Sequence, residues 1–524
     1  MTTVAPVGAG RKEWIALAVL TLPTALVSMD LSVLNLALPH LSTALHADSV
    51  EQLWIIDTYG FVVAALLITM GTLGDRIGRR KLLLIGAAAF GAASVLAAFA
   101  DSTGMLIAAR ALMGVAGATL APSTLALIVN MFHRNPKQIG TAIGVWVSAF
   151  MGGLALGPVV GGVMLQFFWW GSVFLLAVPV MVLLLVAGPL LLPEFKNPEA
   201  RRLDPVSVLL SLAGLLPTIY GIKELAQNGW SLVPVLCIVI GVALGAVFVR
   251  RQRTLADPLM DLGLFAHRQV SAALVINIFG AVVGGGTIFV VNLWLQTVDG
   301  LSPLHAGLLM LPSGAAMVAT AMAAPAFARR IRPAYVVTAG LTVAALGYLA
   351  LTQVSSTGGL VLIVVGVTIT SAGSGPQAAL TTNMILSASP PERSGAAASL
   401  SETCGQLGIA LGAGVMGAIA TAVYGANLTG TLPGGAAGRQ THQSIIGALE
   451  AAKGLPTAQA DALLRTAREA FTSSLDVICL ISALVLLLLA VIAATLLRAV
   501  GEPGGAPAQP DAAEPVEHSV QPAG

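Results

Sequence analysis

Three carboxylates and one guanidinium stand in stretches that otherwise leave no room for charge. Asp30 interrupts "LPTALVSMDLSVLNLALPH" (22–40), Asp57 follows in "WIIDTYG", Arg110 falls in "LIAARALMGVAGATLAPS" (106–123), and Glu402 lies in "SLSETCGQLG". An ionised side chain in the hydrocarbon centre of a bilayer costs at least about 2.5–3.5 kcal/mol unless it is paired or hydrated. At the helical rise, Asp30 lies about 24 Å beyond Trp14 at one surface, and Asp57 and Arg110 lie about 8 Å and about 10 Å below the other. The three fall in one layer, which points to a shared water-accessible cavity. Glu402 lies about 10 Å above the first surface. The competing reading is a fixed ion pair of Arg110 with Asp30 or with Asp57, but Arg110 cannot neutralise three acids. A low dielectric penalises the charged form of a carboxyl. A surplus acid there can alternate between holding a proton and holding a cation, which is the chemistry of an exchanger.

The elements that must position these groups follow from composition. The chain has 524 residues, 56% of them hydrophobic and 10% charged, against about 25% charged in an ordinary soluble protein. Its mean hydropathy is +0.88. Apolar runs of about 20 residues, the length that crosses the hydrocarbon as a helix, recur near 14–38, 52–72, 82–100, 104–130, 138–165, 171–192, 205–227, 231–250, 269–296, 303–327, 334–353, 359–386, 395–424 and 472–498. These define an all-α polytopic membrane protein with fourteen spans. Asp476, Lys223 and Glu224 fall near span ends and read as interfacial groups.

Lysine and arginine set the orientation. With the N-terminus inside, the inner segments hold 20 of the 26 basic residues, the short outer loops hold none, and one long outer segment, 425–471, holds four. Both termini are therefore expected in the cytoplasm. The outer segment reads as two short amphipathic helices, near 442–453 and 457–470, that either cover the outer mouth or lie on the headgroups. The Pro/Ala/Glu-rich tail 499–524 has the composition of a disordered end.

An internal repeat divides the chain. Pro136 and Pro391, Gly140 and Gly395, Gly153 and Gly408, and Gly157 and Gly412 share one offset of 255. The offset equates spans 1–6 with spans 9–14 and leaves spans 7 and 8 as an insertion. The expected organisation is a cytoplasmic N-terminus (1–13), a first six-helix bundle (14–192), two inserted helices with their linkers (193–268), a second six-helix bundle (269–498) and the tail. Two repeated halves around a midplane site are the architecture of secondary transporters.

"GTLGDRIGRRK" (71–81) resembles the signature loop of the major facilitator superfamily between its second and third helices, with "FARRIRP" (327–333) as a degenerate counterpart. Arg110, Gly114 and Gly117 are similar to the family's fourth-helix motif. Gly144, Gly153, Gly157, Pro158, Gly161 and Gly162 match its fifth-helix antiporter motif. "MDLSVLNLALP" (29–39) resembles the first helix of the fourteen-helix drug:proton antiporters, which include exporters of quaternary ammonium compounds and dyes. The resemblance extends from residue 14 to about 498. It implies the major facilitator fold and export in exchange for protons. Together with the depth argument it makes Asp30, Asp57 and Glu402 the expected coupling residues, which bind substrate cation and proton competitively, with Arg110 tuning the nearest acid. In the resemblance, Gly71, Asp75, Arg76, Arg79 and Arg80, with Gly153, Gly157, Pro158 and Gly161, govern the conformational change. Gly71 and Gly74 let helix ends approach, and Asp75 is expected to accept from the N–H groups of a neighbouring helix N-terminus. Tyr59, Trp146 and Phe150 are candidates to stack a delocalised cation in the cavity.

The expected function is a proton-coupled exporter of amphipathic organic cations, a monomer in a bacterial cytoplasmic membrane. The alternatives are export of one endogenous metabolite or antibiotic, or a membrane sensor that transports nothing. No GxxxxGK[ST] loop is present, so ATP-driven transport is not expected, and no cofactor is implied beyond the proton gradient. The seven histidines and three cysteines form no metal set, and a net charge of +2 implies no nucleic-acid partner.

Overall fold

In lipid a helix is the simplest way for an apolar segment to satisfy its own backbone groups, and the chain uses it throughout. The computed structural model describes residues 10–45, 49–133, 136–196, 204–228, 231–255, 263, 265, 268–387, 394–428, 441–442 and 444–498. The expectation of a disordered tail lies outside the described residues. In chain order the helices are α1 (Arg11–Leu45), α2 (Ser49–Ile77), α3 (Arg79–Ala98), α4 (Thr103–Phe132), α5 (Pro136–Phe167), α6 (Ser172–Leu175), α7 (Ala177–Leu191), α8 (Pro205–Asn228) and α9 (Leu232–Thr254). They continue as α10 (Arg268–Thr297), α11 (Pro303–Leu309), α12 (Leu311–Ala328), α13 (Pro333–Leu351), α14 (Leu360–Ser387), α15 (Ser394–Asn427), α16 (Ile445–Ala452) and α17 (Thr457–Leu496). Fourteen stretches are long and apolar enough to cross a membrane, with α6–α7 and α11–α12 each forming one of them. There is no strand among the described residues.

The repeat read from the sequence reappears as packing. α5 lies along α1, and α15 lies along α10. Gly153 faces the Ala25 carbonyl and Ser28, and a Cβ on Gly157 would come within 3.0 Å of the Met29 oxygen. At the matching positions, a Cβ on Gly408 would come within 2.6 Å of the Ile278 oxygen, and Gly412 faces the Val282 carbonyl. The absent side chains let the first and fifth helices of each half meet backbone to backbone.

Two seams join the halves. On one, α5 runs against α11 and α12. Gly144 abuts Pro325 and Gly307 abuts Pro158. Ser148 donates to the Val318 oxygen at 3.3 Å, and Arg329 donates to Thr141 Oγ1 at 2.8 Å. On the other, α15 packs on α2 and α4.

The inserted pair α8–α9 lies at this second seam, with α8 touching both α2 and α15. Trp54 of α2 stacks on Tyr220 with ring centres 6.1 Å apart, and Phe248 of α9 packs on Ile68 of α2. Asp204 closes the pair at its basic end. It accepts from Arg251 Nε at 2.7 Å and from the Ser207 hydroxyl at 2.7 Å. Those bonds, the Arg251 one foremost, hold its carboxyl well below the usual carboxylate range.

One sequence expectation is corrected. The stretch 457–470 is no separate amphipathic helix but the start of α17, whose 40 residues extend roughly 60 Å. The reason is local. Pro456 caps the helix, and no glycine or proline follows it before Leu496. α16 docks on its own half, against α17 and α10. Tyr424 there donates to the Thr441 oxygen and meets Phe471 edge-on.

Candidate functional site

Arg110 is buried and contacted from four directions. Its Nη1 donates to Asp30 Oδ2 at 2.5 Å, and its Nε donates to the Ile55 carbonyl at 3.2 Å. The guanidinium carbon lies 4.6 Å from the centre of the Tyr59 ring and 6.0 Å from that of Phe174. Helices α1, α2, α4 and α6 thus converge on one cation, and four contacts fix its direction. An ionic hydrogen bond and two ring faces together offset the desolvation of a guanidinium that cannot release its proton. Of the two acids available to Arg110 in the sequence, Asp30 is its partner. Asp57 falls within α2, and its side chain lies outside the described residues.

Tyr59 is fully buried, and its hydroxyl has no hydrogen-bond partner among the described residues. It rests on α4 because Gly117 is bare, and a Cβ there would stand 3.0 Å from the hydroxyl. Glu402 comes from the other half of the molecule, on α15, the helix that packs on α2 and α4. Its carboxylate accepts from Gln406 Nε2 at 3.0 Å, and it forms no ion pair among the described residues. Trp146 and Phe150 are buried and stacked, centres 6.1 Å apart and planes 19° from parallel. Trp146 donates to Thr124 Oγ1 at 3.0 Å.

The signature loop forms a second cluster at the basic face. Gly71 is buried and Arg76 is exposed. Gly78 takes a positive φ of 113°, a conformation open to glycine, and turns the chain from α2 to α3 in one residue. Asp75 does not accept from a helix N-terminus as expected. Its carboxylate takes both Nε and Nη2 of the buried Arg79, at 2.8 and 2.5 Å. A guanidinium one helical turn ahead outcompetes distant amides because its fork presents two charge-assisted donors. Glu194, which follows span 6, supplies the contact expected of Asp75. It accepts from the backbone N–H of Arg80 at the start of α3 at 3.1 Å and pairs with the Arg80 side chain at 3.5 Å. Arg80 also donates to the Leu192 oxygen, and Arg79 N–H donates to the Phe195 oxygen. Gly161, on α5, packs on Val33.

Sequence reasoning missed Glu194, Phe174, Gln406 and the Ile55 carbonyl. Glu194 carried a signal, since a lone acid in "LPEFK" lies on the same face as the basic loop. The other three carried none, because an aromatic, an amide and a main-chain oxygen are ordinary in such helices.

Fourteen spans in two repeated halves, with a buried ion pair in one and a carboxylate bonded to an amide in the other, define a polytopic helical transporter. The chain belongs to the Major Facilitator Superfamily, whose profile matches residues 20–413. Over 490 residues it is 40% identical to the multidrug efflux pump LfrA of Mycolicibacterium smegmatis, covering 93% of this chain and 97% of that one. Over 489 residues it is 33% identical to the methyl viologen resistance protein SmvA of Salmonella typhimurium, covering 92% and 97%. Among solved structures, the human organic anion transporter MFSD10 superposes with a TM-score of 0.56 at 14% identity, over 90% of this chain and 99% of that one. That likeness concerns the fold alone.

Proposed function

We propose that the protein is a proton-coupled antiporter that exports amphipathic organic cations across the bacterial cytoplasmic membrane by alternating access. It works as a monomer with both termini inside. The halves 14–192 and 269–498 rock about the central site, with the pair within 193–268 against them. Relatives named for multidrug efflux and for resistance to methyl viologen, an organic dication, support the class of cargo.

One observation carries the coupling. Arg110 is held by Asp30, the Ile55 carbonyl and the Tyr59 ring, whereas Glu402 has an amide for a partner and no cation among the described residues. A carboxyl in that setting is stable when neutral or when a cation lies against it, and costly when bare. It therefore holds a proton or a substrate cation, not both. A cation arriving from the inner side displaces the proton, the loaded site turns outward, and a proton from outside displaces the cation. Asp30, held by Arg110, keeps the opposite wall of fixed charge. The loop with Asp75, Arg79, Arg80 and Glu194 latches the basic face in one state, and the α5 bend at Gly157–Pro158 accommodates the other.

Proton release on addition of candidate cations to the purified protein tests this reading. The wild type releases protons, and Glu402→Gln releases none. Release from Glu402→Gln equal to that of the wild type would overturn it.

A further inference from the structure

The inserted pair α8–α9 is tight within itself. Gly214 of α8 meets the Gly245 backbone of α9, Gly221 faces the Pro234 oxygen, and Gly241 faces Thr218. Small residues of this kind bring two helix backbones together in lipid. At the basic end Arg251 donates to Asp204 at 2.7 Å, and Gln252 donates to the Ser207 hydroxyl at 2.8 Å. Toward the rest of the protein the attachment is thin. Among the described residues, no side chain of α8 or α9 belongs to the main buried core, which runs through both six-helix halves. The aromatic residues of the two helices are Tyr220 and Phe248, and both meet α2 of the first half. Tyr220 stacks on Trp54 with the planes 13° from parallel. Phe248 forms with Ile68 a small separate cluster lined by Val208, Leu210 and Val249. Trp54 and Ile68 lie about 21 Å apart along α2, so the pair is pinned at two levels and cannot swivel about one point. Yet α8 also touches α15, which belongs to the second half. Alternating access moves α2 and α15 relative to each other, and α8 can keep its place on only one of them.

We infer that α8–α9 is a rigid fin carried by the first half, and that α15 slides along α8 as the transporter turns over. The inference rests on the exporter reading above and adds which interface holds and which yields. Packed helices accommodate domain motion by small sliding, whereas two ring contacts at separate levels would have to break together. A fin fixed to α2 keeps α8 behind the second seam while α15 moves past it.

The test is double electron–electron resonance on the full-length protein in lipid nanodiscs. Spin labels are attached through p-acetylphenylalanine, so the three native cysteines stay unmodified. They replace, two at a time, three exposed residues at the face opposite the signature loop: Val233 on α9, Phe99 at the end of α3, and Val361 on α14 of the second half. Distances are compared between acidic buffer and alkaline buffer with ethidium, which load the site with a proton and with an organic cation. The Phe99–Val361 distance reports the two halves and is expected to change by roughly 5 Å or more. Val233–Phe99 should stay within about 2 Å while Val233–Val361 changes with the halves. Tyr220→Ala/Phe248→Ala, which removes both rings from α2, should broaden the Val233–Phe99 distribution. A Val233–Phe99 distance that changes with the halves overturns the inference, whether or not Val233–Val361 stays fixed, and so does a distribution indifferent to the loss of both rings. If Phe99–Val361 does not change at all, the alternating-access reading falls first and takes the fin with it.

Discussion

Removing the charge of Asp30 strands Arg110, and the asymmetry of that ion pair makes the consequence calculable. The Arg110 side chain is 1% exposed and that of Asp30 is 13% exposed. An aspartate left alone can take up a proton, whereas a guanidinium cannot release one. Breaking a buried pair by deleting one partner costs about 3–5 kcal/mol, because the survivor stays charged in a low dielectric. In Asp30→Asn the arginine keeps its bond to the Ile55 oxygen and its place against the Tyr59 ring. The expected loss is therefore near the lower end, about 3 kcal/mol. Removing both charges in Asp30→Asn/Arg110→Met leaves no stranded ion, and replacing a buried pair with apolar groups is often neutral. Melting scans of the purified variants in one detergent at one scan rate should rank the wild type and the double variant together, with Asp30→Asn well below both. Asp30→Asn melting with the wild type, or the double variant melting below the single, would refute the claim that a buried, unneutralised guanidinium dominates this site.

Tyr59→Phe should melt with the wild type, because the lost hydroxyl has no partner among the described residues. Tyr59→Ala should lose roughly 2 kcal/mol or more with the ring that faces Arg110, read in the same scans. Gly157→Leu and Gly412→Leu should each lower the melting temperature and the yield of folded protein, since overpacking costs typically about 1–3 kcal/mol where helix backbones meet. Gly60→Ala, which opens into free space, should change neither. Asp204→Asn should melt below the wild type at neutral pH. The bonds from Arg251 and Ser207 favour the ionised carboxyl of the folded protein, so their contribution is complete above the unfolded carboxylate range of about 4 and fades as the pH falls through the folded value. The gap between Asp204→Asn and the wild type should accordingly close in scans taken at progressively lower pH, and a gap that widened on acidification would refute the assignment.

Much of the fold was legible because lipid restricts the chain to few solutions. Fourteen apolar runs became fourteen spans, and the glycines at one offset became the close approaches of α5 to α1 and of α15 to α10. A missing side chain leaves a mark in sequence when two backbones need its space at a fixed period. The candidate site was only partly legible. Asp30, Arg110 and Glu402 were visible as charges out of place. That Arg110 takes Asp30, that Phe174 closes its far side, and that Asp75 turns to Arg79 while Glu194 meets Arg80 were not. Each depends on side-chain direction across helices far apart in the chain, which spacing along one helix does not encode.

The sequence by itself determined that this chain lives in a membrane, how often it crosses, where its repeat lies and which few charges must be accounted for. All of these follow from hydropathy and helical rise, which are local quantities. Only the tertiary structure decided which acid the arginine neutralises, which one has no cation among the described residues, and that α8 lies against α2 and α15 at once. Those outcomes depend on distances between helices, and such distances are set by packing.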